Sequence, residues 1–142
     1  MHTIKPFVLL GLLKDNKILL ILRSNTGFSD GMYALVGGKA ESGETMRSAI
    51  IREAYEEIDV TIDHDHLGFV HVFHRKGLTE ELVAFCFVSS HWIGEPINKE
   101  PDKHGEIRWF PLDQLPENIV PAHKVAIESI AQKIYYSEHG WE

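Results

Sequence analysis

Short apolar runs separated by turn-forming residues recur along the chain and predict the strands of a β-sheet. The first two runs flank Lys14-Asp15-Asn16, a sequence typical of a hairpin turn. A polar, glycine-containing stretch at residues 23–31 predicts a loop, and Gly37-Gly38 breaks the pattern after the third run. The predicted strands are residues 4–13, 17–22, 33–36, 67–73, 81–90 and 107–110.

Two other stretches have the residue spacing of helices. Residues 45–58 contain no Gly or Pro, and Ser42 or Thr45 is available to cap the first turn. Pro121 opens the second predicted helix, residues 121–136. Its apolar stripe consists of Ala126, Ile127, Ile130 and Ile134. A long loop is predicted over 93–105, and the whole order predicts one domain, residues 1–142, folded as an α/β sandwich around a mixed sheet.

The first predicted helix places its glutamates on an unusual face. Its apolar stripe consists of Met46, Ala49 and Ile50, since successive helical residues turn by about 100°. Glu53, Glu56 and Glu57 fall within about 80° of Met46 on the same projection. Because carboxylates usually lie opposite the apolar stripe, these residues are either solvated surface glutamates or a functional cluster.

These glutamates also repel one another, because Glu53 precedes Glu56 by three residues and Glu57 by four. Arg52 can pair with Glu56, but one cation does not neutralise three carboxylates. Oxygen ligands gathered on one rigid face suit Mg²⁺, with Mn²⁺ as a substitute. The pattern therefore favours a divalent-metal site on this helix.

Fixed spacings connect the helix to the preceding glycine pair. The pattern over 38–60 is Gly38, five residues, Glu44, seven residues, Arg52-Glu53-Ala54, one residue, Glu56-Glu57, one residue and Asp59-Val60. This pattern resembles the Nudix box, and the order of elements resembles the Nudix α/β/α sandwich, with its mixed sheet, catalytic loop-helix-loop and C-terminal helix. Asp59 replaces the Gly that ends the helix in a left-handed conformation, which Asp tolerates. Val36 replaces the Pro of many members.

The resemblance implies roles for residues of the box. The implied metal ligands are Glu53, Glu56, Glu57 and the backbone carbonyl of Gly38. Arg52 is expected to orient Glu53 by a charge-assisted hydrogen bond, and Glu44 is expected to brace the loop. Lys39 is either a phosphate contact or an exposed surface lysine.

Residues outside the box complete the expected site. Residues 92–100 resemble a loop of the MutT-type nucleoside triphosphate pyrophosphatases, which implies that Glu100 is a further metal ligand or general base; Glu106 is the alternative. Arg23, at the end of the second predicted strand, is expected to contact substrate. His123 is also expected to contact the substrate. It occupies the position at which the MutT type recognises its base through an Asn. Because His replaces that Asn, the resemblance does not imply specificity for oxidised guanine.

Composition restricts the class of partner. The formal charge of -7, from 14 Lys and Arg against 21 Asp and Glu, disfavours binding to nucleic acid polymers. No apolar run approaches the ~20 residues of a membrane span, and the first residues lack the pattern of a secretory signal. The single cysteine, Cys86, is expected to be a small core residue. These observations predict a cytoplasmic protein and leave its oligomeric state open.

The resemblance and the carboxylate cluster together predict a Mg²⁺-dependent hydrolase that acts on a small nucleotide. The preferred hypothesis is attack of water on a nucleoside triphosphate, which releases the monophosphate and pyrophosphate. The alternatives are an ADP-ribose or nucleotide-sugar pyrophosphatase and a non-catalytic module that senses a nucleotide. Because Glu53, Glu56 and Glu57 are all present, the catalytic alternatives are favoured.

Overall fold

The computed structural model describes residues 2–141, which form eight strands and two helices. The strands are β1 (Ile4–Lys14), β2 (Lys17–Arg23), β3 (Tyr33–Ala34), β4 (Val36–Lys39), β5 (Gly68–Lys76), β6 (Glu81–Ser89), β7 (His104–Pro111) and β8 (Tyr136–His139). The helices are α1 (Met46–Ile58) and α2 (Pro121–Gln132), and a 3₁₀ turn spans His64–His66. Among the described residues, no helix is long and apolar enough to cross a membrane.

The strands form one mixed sheet in the order β3-β2-β1-β6-β5-β8, with β4 paired to β1 and β7 paired to β2. Strand β1 runs parallel to β6, and β5 runs parallel to β8. The remaining pairs, including β1–β4 and β2–β7, are antiparallel. The glycine pair in β4 therefore lies beside a central strand, with Leu9 opposite Gly37 and Val8 opposite Gly38.

Alternating side chains of the sheet belong to two separate hydrophobic cores, one on each face. In β1, Val8, Leu10 and Leu12 belong to one cluster, which also contains Ala49, Ile50, Ala54 and Ile58 of α1. Leu9 belongs to the other, which contains Ala122, Ala126 and Ile127 of α2. Because neighbouring residues of a strand point to opposite faces, each helix covers one face of the sheet. The predicted α/β/α sandwich is confirmed.

The ends of α1 follow from its local sequence. The side chain of Thr45 accepts a hydrogen bond from the backbone N–H of Ser48 at 3.0 Å, so Thr45 caps the helix rather than Ser42. Asp59 adopts the left-handed conformation with φ 59° and ψ 38°, and its N–H bonds to the carbonyl of Tyr55. Asp59 thus ends the helix in the conformation that the box assigns to Gly.

The C-terminal prediction was wrong beyond residue 132. Helix α2 ends at Gln132 because Lys133 is left-handed, with φ 55°, and its N–H bonds back to the carbonyl of Ile130. Residues Tyr136–His139 instead form β8 beside β5. Ile134, assigned to the helical stripe, lies outside the helix and is 45% exposed. Pairing with a distant strand overrode the local helical pattern.

Several strand boundaries also differ from the prediction. Gly37 and Gly38 were predicted to break the strand pattern, but they belong to β4 and pair with β1. A Cβ on Gly37 would overlap the backbone carbonyl oxygen of Val8, so glycine permits this close approach. Strand β7 begins at His104, within the predicted loop, because β2 extends its pairing from Leu22 to Arg23 across an irregularity in the register.

Candidate active site

The carboxylates of α1 line a polar pocket beside the end of β2. This carboxylate pocket is bordered by Arg52, Glu53, Glu56, Glu57, Glu100 and His104, among others. The exposed fraction of the side chain is 14% for Glu53, 51% for Glu56 and 6% for Glu57. The face of α1 that continues the apolar stripe is therefore partly buried, which excludes the interpretation of Glu53 and Glu57 as solvated surface residues.

Arg52 connects three glutamates of the box through hydrogen bonds from its guanidinium group. Its Nε and Nη2 donate to the two carboxylate oxygens of Glu44 at 3.1 and 2.7 Å. Its Nη1 donates to Glu53 Oε1 at 3.0 Å and to Glu56 Oε1 at 2.9 Å. These contacts, with the Glu44 pair first, raise the pKa of Arg52 above its ordinary value. Arg52 therefore stays charged and fixes the orientation of the Glu53 and Glu56 carboxylates.

Glu44 connects this arginine to the loop that enters α1. Besides the two bonds from Arg52, its Oε1 accepts from the backbone N–H of Glu41 at 2.8 Å. The Arg52 guanidinium holds the pKa of the Glu44 carboxyl below its ordinary value, with a further contribution from the Glu41 N–H. The loop before the helix is thus tied to the same guanidinium that positions Glu53.

Backbone contacts bring the loop after β6 over the end of α1. The N–H of Ile97 donates to the carbonyl of Ile58, and the N–H of Lys99 donates to the carbonyl of Glu57, each at 3.0 Å. The carbonyl of Glu100 then accepts from the N–H groups of Lys103 and His104, both at 2.9 Å. This turn returns the chain toward the pocket and places two side chains, Glu100 and His104, beside Glu57.

Glu57, Glu100 and His104 each offer a ligand atom, and these atoms all lie within 4.8 Å of one another. His104 Nε2 lies 3.7 Å from Glu57 Oε1, which is too long for a hydrogen bond. Glu57 Oε1 and His104 Nδ1 are buried and have no hydrogen-bond partner among residues 2–141. Buried polar atoms normally have partners, so this donor set fits a cation.

The protonation of the cluster reflects burial and mutual repulsion. Burial raises the pKa of Glu57 well above its ordinary value, and contact with the Glu53 carboxyl and the charge of Glu100 add to the shift. Burial lowers the pKa of His104, and the positive charge of Arg23 lowers it further. A cation held between these groups would favour the ionised carboxylates and the neutral imidazole.

Gly38 and Glu53 are in close contact. A Cβ built on Gly38 would lie 2.8 Å from Glu53 Oε1 and 2.9 Å from both Cδ and Oε2. The missing side chain of Gly38 therefore makes the space in which the Glu53 carboxylate lies.

A second, apolar cavity of about 260 Å³ adjoins the carboxylate pocket, and Arg23 and Gly37 border both. Its wall includes Leu9, Leu35, Phe73, Leu82, Val120 and His123. Arg23 Nε donates to the carbonyl of Phe28 at 2.8 Å, and its Nη2 donates to Thr26 Oγ1 at 3.2 Å. Arg23 thus joins the loop after β2 to the boundary between the two spaces.

The His123 ring is fixed in one orientation at this cavity. The backbone N–H of Leu35 donates to His123 Nδ1 at 3.0 Å, so the neutral ring carries its proton on Nε2. Burial lowers the pKa of His123 to about 3, and the charges of Arg23 and Arg75 act in the same direction. At neutral pH the ring is therefore neutral, with its proton on Nε2.

The structure brings most of the predicted site residues together, but not all. The carboxylate pocket includes Arg23, Arg52, Glu53, Glu56, Glu57 and Glu100, and the adjoining cavity includes Gly38 and His123. Lys39 is exposed and lines neither space; only its carbonyl joins the network, accepting from Arg52 Nη2 at 3.3 Å. Glu106 accepts a hydrogen bond from the Tyr33 hydroxyl at 2.9 Å, so the geometry favours Glu100 over Glu106.

The residues of these spaces that were not predicted from the sequence include His104 and Arg75. His104 follows Glu100 by four residues, and this spacing was the only available signal for it. Arg75 of β5 borders the apolar cavity, and its guanidinium carbon lies 4.9 Å from the centre of the Phe28 ring. Nothing in the local pattern of β5 distinguishes Arg75 from an ordinary exposed strand residue.

Comparison with known proteins identifies the family. Residues 5–130 match the model of the NUDIX domain, so the chain belongs to the Nudix family and is a Nudix hydrolase. It is 31% identical over 117 residues to the oxidized purine nucleoside triphosphate hydrolase of Danio rerio, covering 82% of this chain and 72% of the relative. It is 36% identical over 104 residues to the ADP-ribose pyrophosphatase of Methanocaldococcus jannaschii, covering 73% and 60%.

A solved structure agrees with this assignment. A MutT NUDIX hydrolase from Burkholderia pseudomallei superimposes with a TM-score of 0.84 at 28% identity, covering 91% of this chain and 99% of that one. Nudix hydrolases generally use a divalent metal ion, and the group formed by Glu57, Glu100 and His104 could hold one. The predicted family, enzyme class and fold are therefore confirmed.

Proposed function

We propose that this Nudix hydrolase cleaves a nucleoside triphosphate to the monophosphate and pyrophosphate with the aid of Mg²⁺. The observation that carries the proposal is the junction of the carboxylate pocket and the apolar cavity at Arg23 and Gly37. A ligand that spans the junction places an apolar ring in the cavity and its phosphates beside the acidic helix. A nucleotide has both parts in this order.

The apolar cavity supports a base as the buried group. Its volume of about 260 Å³ lies just below the roughly 300–1,000 Å³ of sites that enclose a drug-sized ligand, so a base with its sugar outside is a suitable occupant. Phe73 supplies an aromatic surface, and the Nε2–H of His123 supplies a donor for a carbonyl or ring nitrogen of the base.

The carboxylate pocket supports the phosphate end. We assign the cation to Glu53, Glu56, Glu57, Glu100 and the carbonyl of Gly38. A bound cation would offset the charge of the phosphate oxygens, which would make the phosphorus a better target for water. Arg52 keeps Glu53 and Glu56 oriented, and Arg23, which borders the pocket, would donate to a phosphate oxygen. Glu100, which lies on the loop after β6 and not on α1, would alternatively accept the proton of the attacking water.

The names of the related proteins suggest two classes of substrate. The name of the Danio rerio relative specifies purine nucleoside triphosphates, and that of the Methanocaldococcus jannaschii relative specifies ADP-ribose. ADP-ribose is the second candidate here, because a wider groove bordered by Arg75, Lys76 and Leu78 continues from the cavity and could hold a second sugar. A nucleotide sugar would use the same groove.

A substrate screen with Mg²⁺ tests the proposal. Nucleoside and deoxynucleoside triphosphates, oxidised purine triphosphates, ADP-ribose and nucleotide sugars are incubated with the protein, and products are separated by ion-exchange chromatography. We expect monophosphate and pyrophosphate from a triphosphate, and oxygen from labelled water shows which phosphorus is attacked. Turnover of ADP-ribose with no turnover of any triphosphate would contradict the proposed substrate.

A pair of variants ties the activity to this pocket. Glu53→Gln is expected to abolish most turnover, because it removes a charge that Arg52 orients toward the proposed cation. Glu128→Gln is the matched control, because Glu128 is an exposed glutamate on α2. Equal activity of the two variants would place the catalytic site elsewhere.

A further inference from the structure

We infer that His104 contributes a nitrogen ligand to the divalent cation, which makes this metal site one of mixed nitrogen and oxygen donors. The inference deepens the proposed function and rests on it only in placing a cation at the carboxylate pocket. His104 lies outside residues 38–60, so the box does not assign it any role. The argument comes from the surroundings of its ring.

The His104 ring is buried without any hydrogen bond of its own. The residue is 6% exposed, Nδ1 has no partner, and Nε2 faces Glu57 Oε1 at a distance beyond hydrogen bonding. Glu57 Oε1 is itself buried and without a hydrogen-bond partner in the described chain. Glu57 Oε1 thus lacks a partner, and the imidazole nitrogen that faces it makes no hydrogen bond to it, so the pair has room for a third group between its two atoms.

The separations suit one ion between the atoms. Donors about 2.1 Å from a common ion lie roughly 3 Å apart at a right angle and roughly 4.2 Å apart on opposite sides. The 3.7 Å between His104 Nε2 and Glu57 Oε1 falls inside this interval. The ligand atoms of Glu57, Glu100 and His104 all lie within 4.8 Å, so contraction by about half an ångström would suffice for the widest pair.

The backbone holds the imidazole in this place. Two hydrogen bonds from residues 103 and 104 to the Glu100 carbonyl form a turn, and Asn98 Nδ2 donates to the carbonyl of His104 at 2.7 Å. The pairing of His104 with Arg23 fixes the start of β7. A ligand on such a supported turn needs little reorganisation to bind.

A nitrogen donor changes which metals the site prefers. Carboxylates and water suit Mg²⁺, whereas imidazole suits transition metals such as Co²⁺ and Zn²⁺. His104 should therefore strengthen Co²⁺ binding much more than Mg²⁺ binding. Loss of the imidazole is expected to weaken Co²⁺ binding about tenfold or more, and Mg²⁺ binding by less than about threefold.

The direct test is pulsed electron paramagnetic resonance of the protein loaded with Mn²⁺ alone. We expect a ¹⁴N coupling from a histidine ligand, which changes to a ¹⁵N coupling in protein grown with ¹⁵N-histidine. His104→Gln should remove the coupling, and His91→Gln should keep it, since His91 is an exposed histidine outside the pocket. Calorimetric titration of the same proteins with Co²⁺ and with Mg²⁺ measures the change in preference.

Several outcomes would overturn the inference. Bound Mn²⁺ with no nitrogen coupling in the unmodified protein would show an all-oxygen site, and this measurement does not depend on any variant folding. A coupling that persists in folded His104→Gln would assign the nitrogen to another histidine. If the protein hydrolyses nucleotides but shows no ¹⁴N coupling, the proposed function stands and the assignment of His104 as a ligand fails. If it shows the coupling but hydrolyses no nucleotide, the assignment of His104 stands and the proposed function fails.

Discussion

Replacing Gly38 with alanine tests whether the position of the Glu53 carboxylate limits turnover. The substitution leaves the backbone carbonyl of residue 38 in place and adds only a methyl group. That methyl group would lie 2.8 Å from Glu53 Oε1 and 2.9 Å from Glu53 Cδ, where ordinary contacts between heavy atoms are about 3.5 Å. The carboxylate must therefore move by about 0.6–0.7 Å or more.

The size of this movement sets the expected loss. A displacement of about 1 Å in a positioned group can cost about 100-fold in rate, or about 2.7 kcal/mol of transition-state stabilisation. The stability of the fold should change by less, about 1 kcal/mol, because the group that must move is the end of a side chain. Scaled to a movement of about 0.6–0.7 Å, the cost in rate becomes about 20-fold, so we expect kcat/KM to fall about 20-fold or more with little change in Tm.

The assay compares three glycine variants on the substrate that the screen identifies. Gly68→Ala is the neutral control, because its Cβ would approach Val88 no closer than 3.6 Å. Gly37→Ala is the disruptive control, because its Cβ would overlap the Val8 carbonyl and should lower Tm. Folded Gly38→Ala protein with kcat/KM within about threefold of the parent would refute the reasoning that the Glu53 position limits turnover.

Three further predictions follow from buried groups. Glu57→Gln should keep the fold and lower turnover at least about 100-fold, and a near-normal rate would remove Glu57 from the metal site. Burial and Arg23 lower the pKa of His123 from 6.5 to about 3. As the pH falls through 6.5, the imidazole of His123 is protonated in the unfolded state but not in the folded state. The free energy of unfolding should therefore decrease by about 1.4 kcal/mol between pH 7.5 and pH 5.5 on account of His123. A titration midpoint near pH 6 for the His123 ring signals in NMR would contradict this prediction. Burial raises the pKa of Cys86 to about 12, so a thiol reagent should modify it only after denaturation; rapid modification of native protein would show otherwise.

The local parts of the active site could be predicted because helical geometry is periodic. The spacing of Arg52, Glu53, Glu56 and Glu57 places them on adjoining positions of α1 wherever that helix packs. Thr45 and Asp59 end the helix through contacts with residues three or four positions away. The roles assigned to these residues in binding and catalysis stay predictions until the variants are measured.

Contacts between distant segments could not be read in the same way. His104 lies beside Glu57 only because the loop after β6 is bonded to the end of α1 and β7 pairs with β2. Strand β8 exists because β5 offers it a free edge, although the predicted helix extended to Tyr136, the first residue of this strand. Lys39, which follows the glycine pair of the box, proved to be exposed and outside both spaces.

The sequence by itself determined the family, the two-helix sandwich and the acidic face of α1, because periodicity and box spacing depend on residues close together in the chain. Only the tertiary structure decided that Glu57 is buried against Glu100 and His104, and that an apolar cavity meets the carboxylates at Arg23. Burial and proximity between remote residues arise when strands pair and helices pack, and no single segment encodes them.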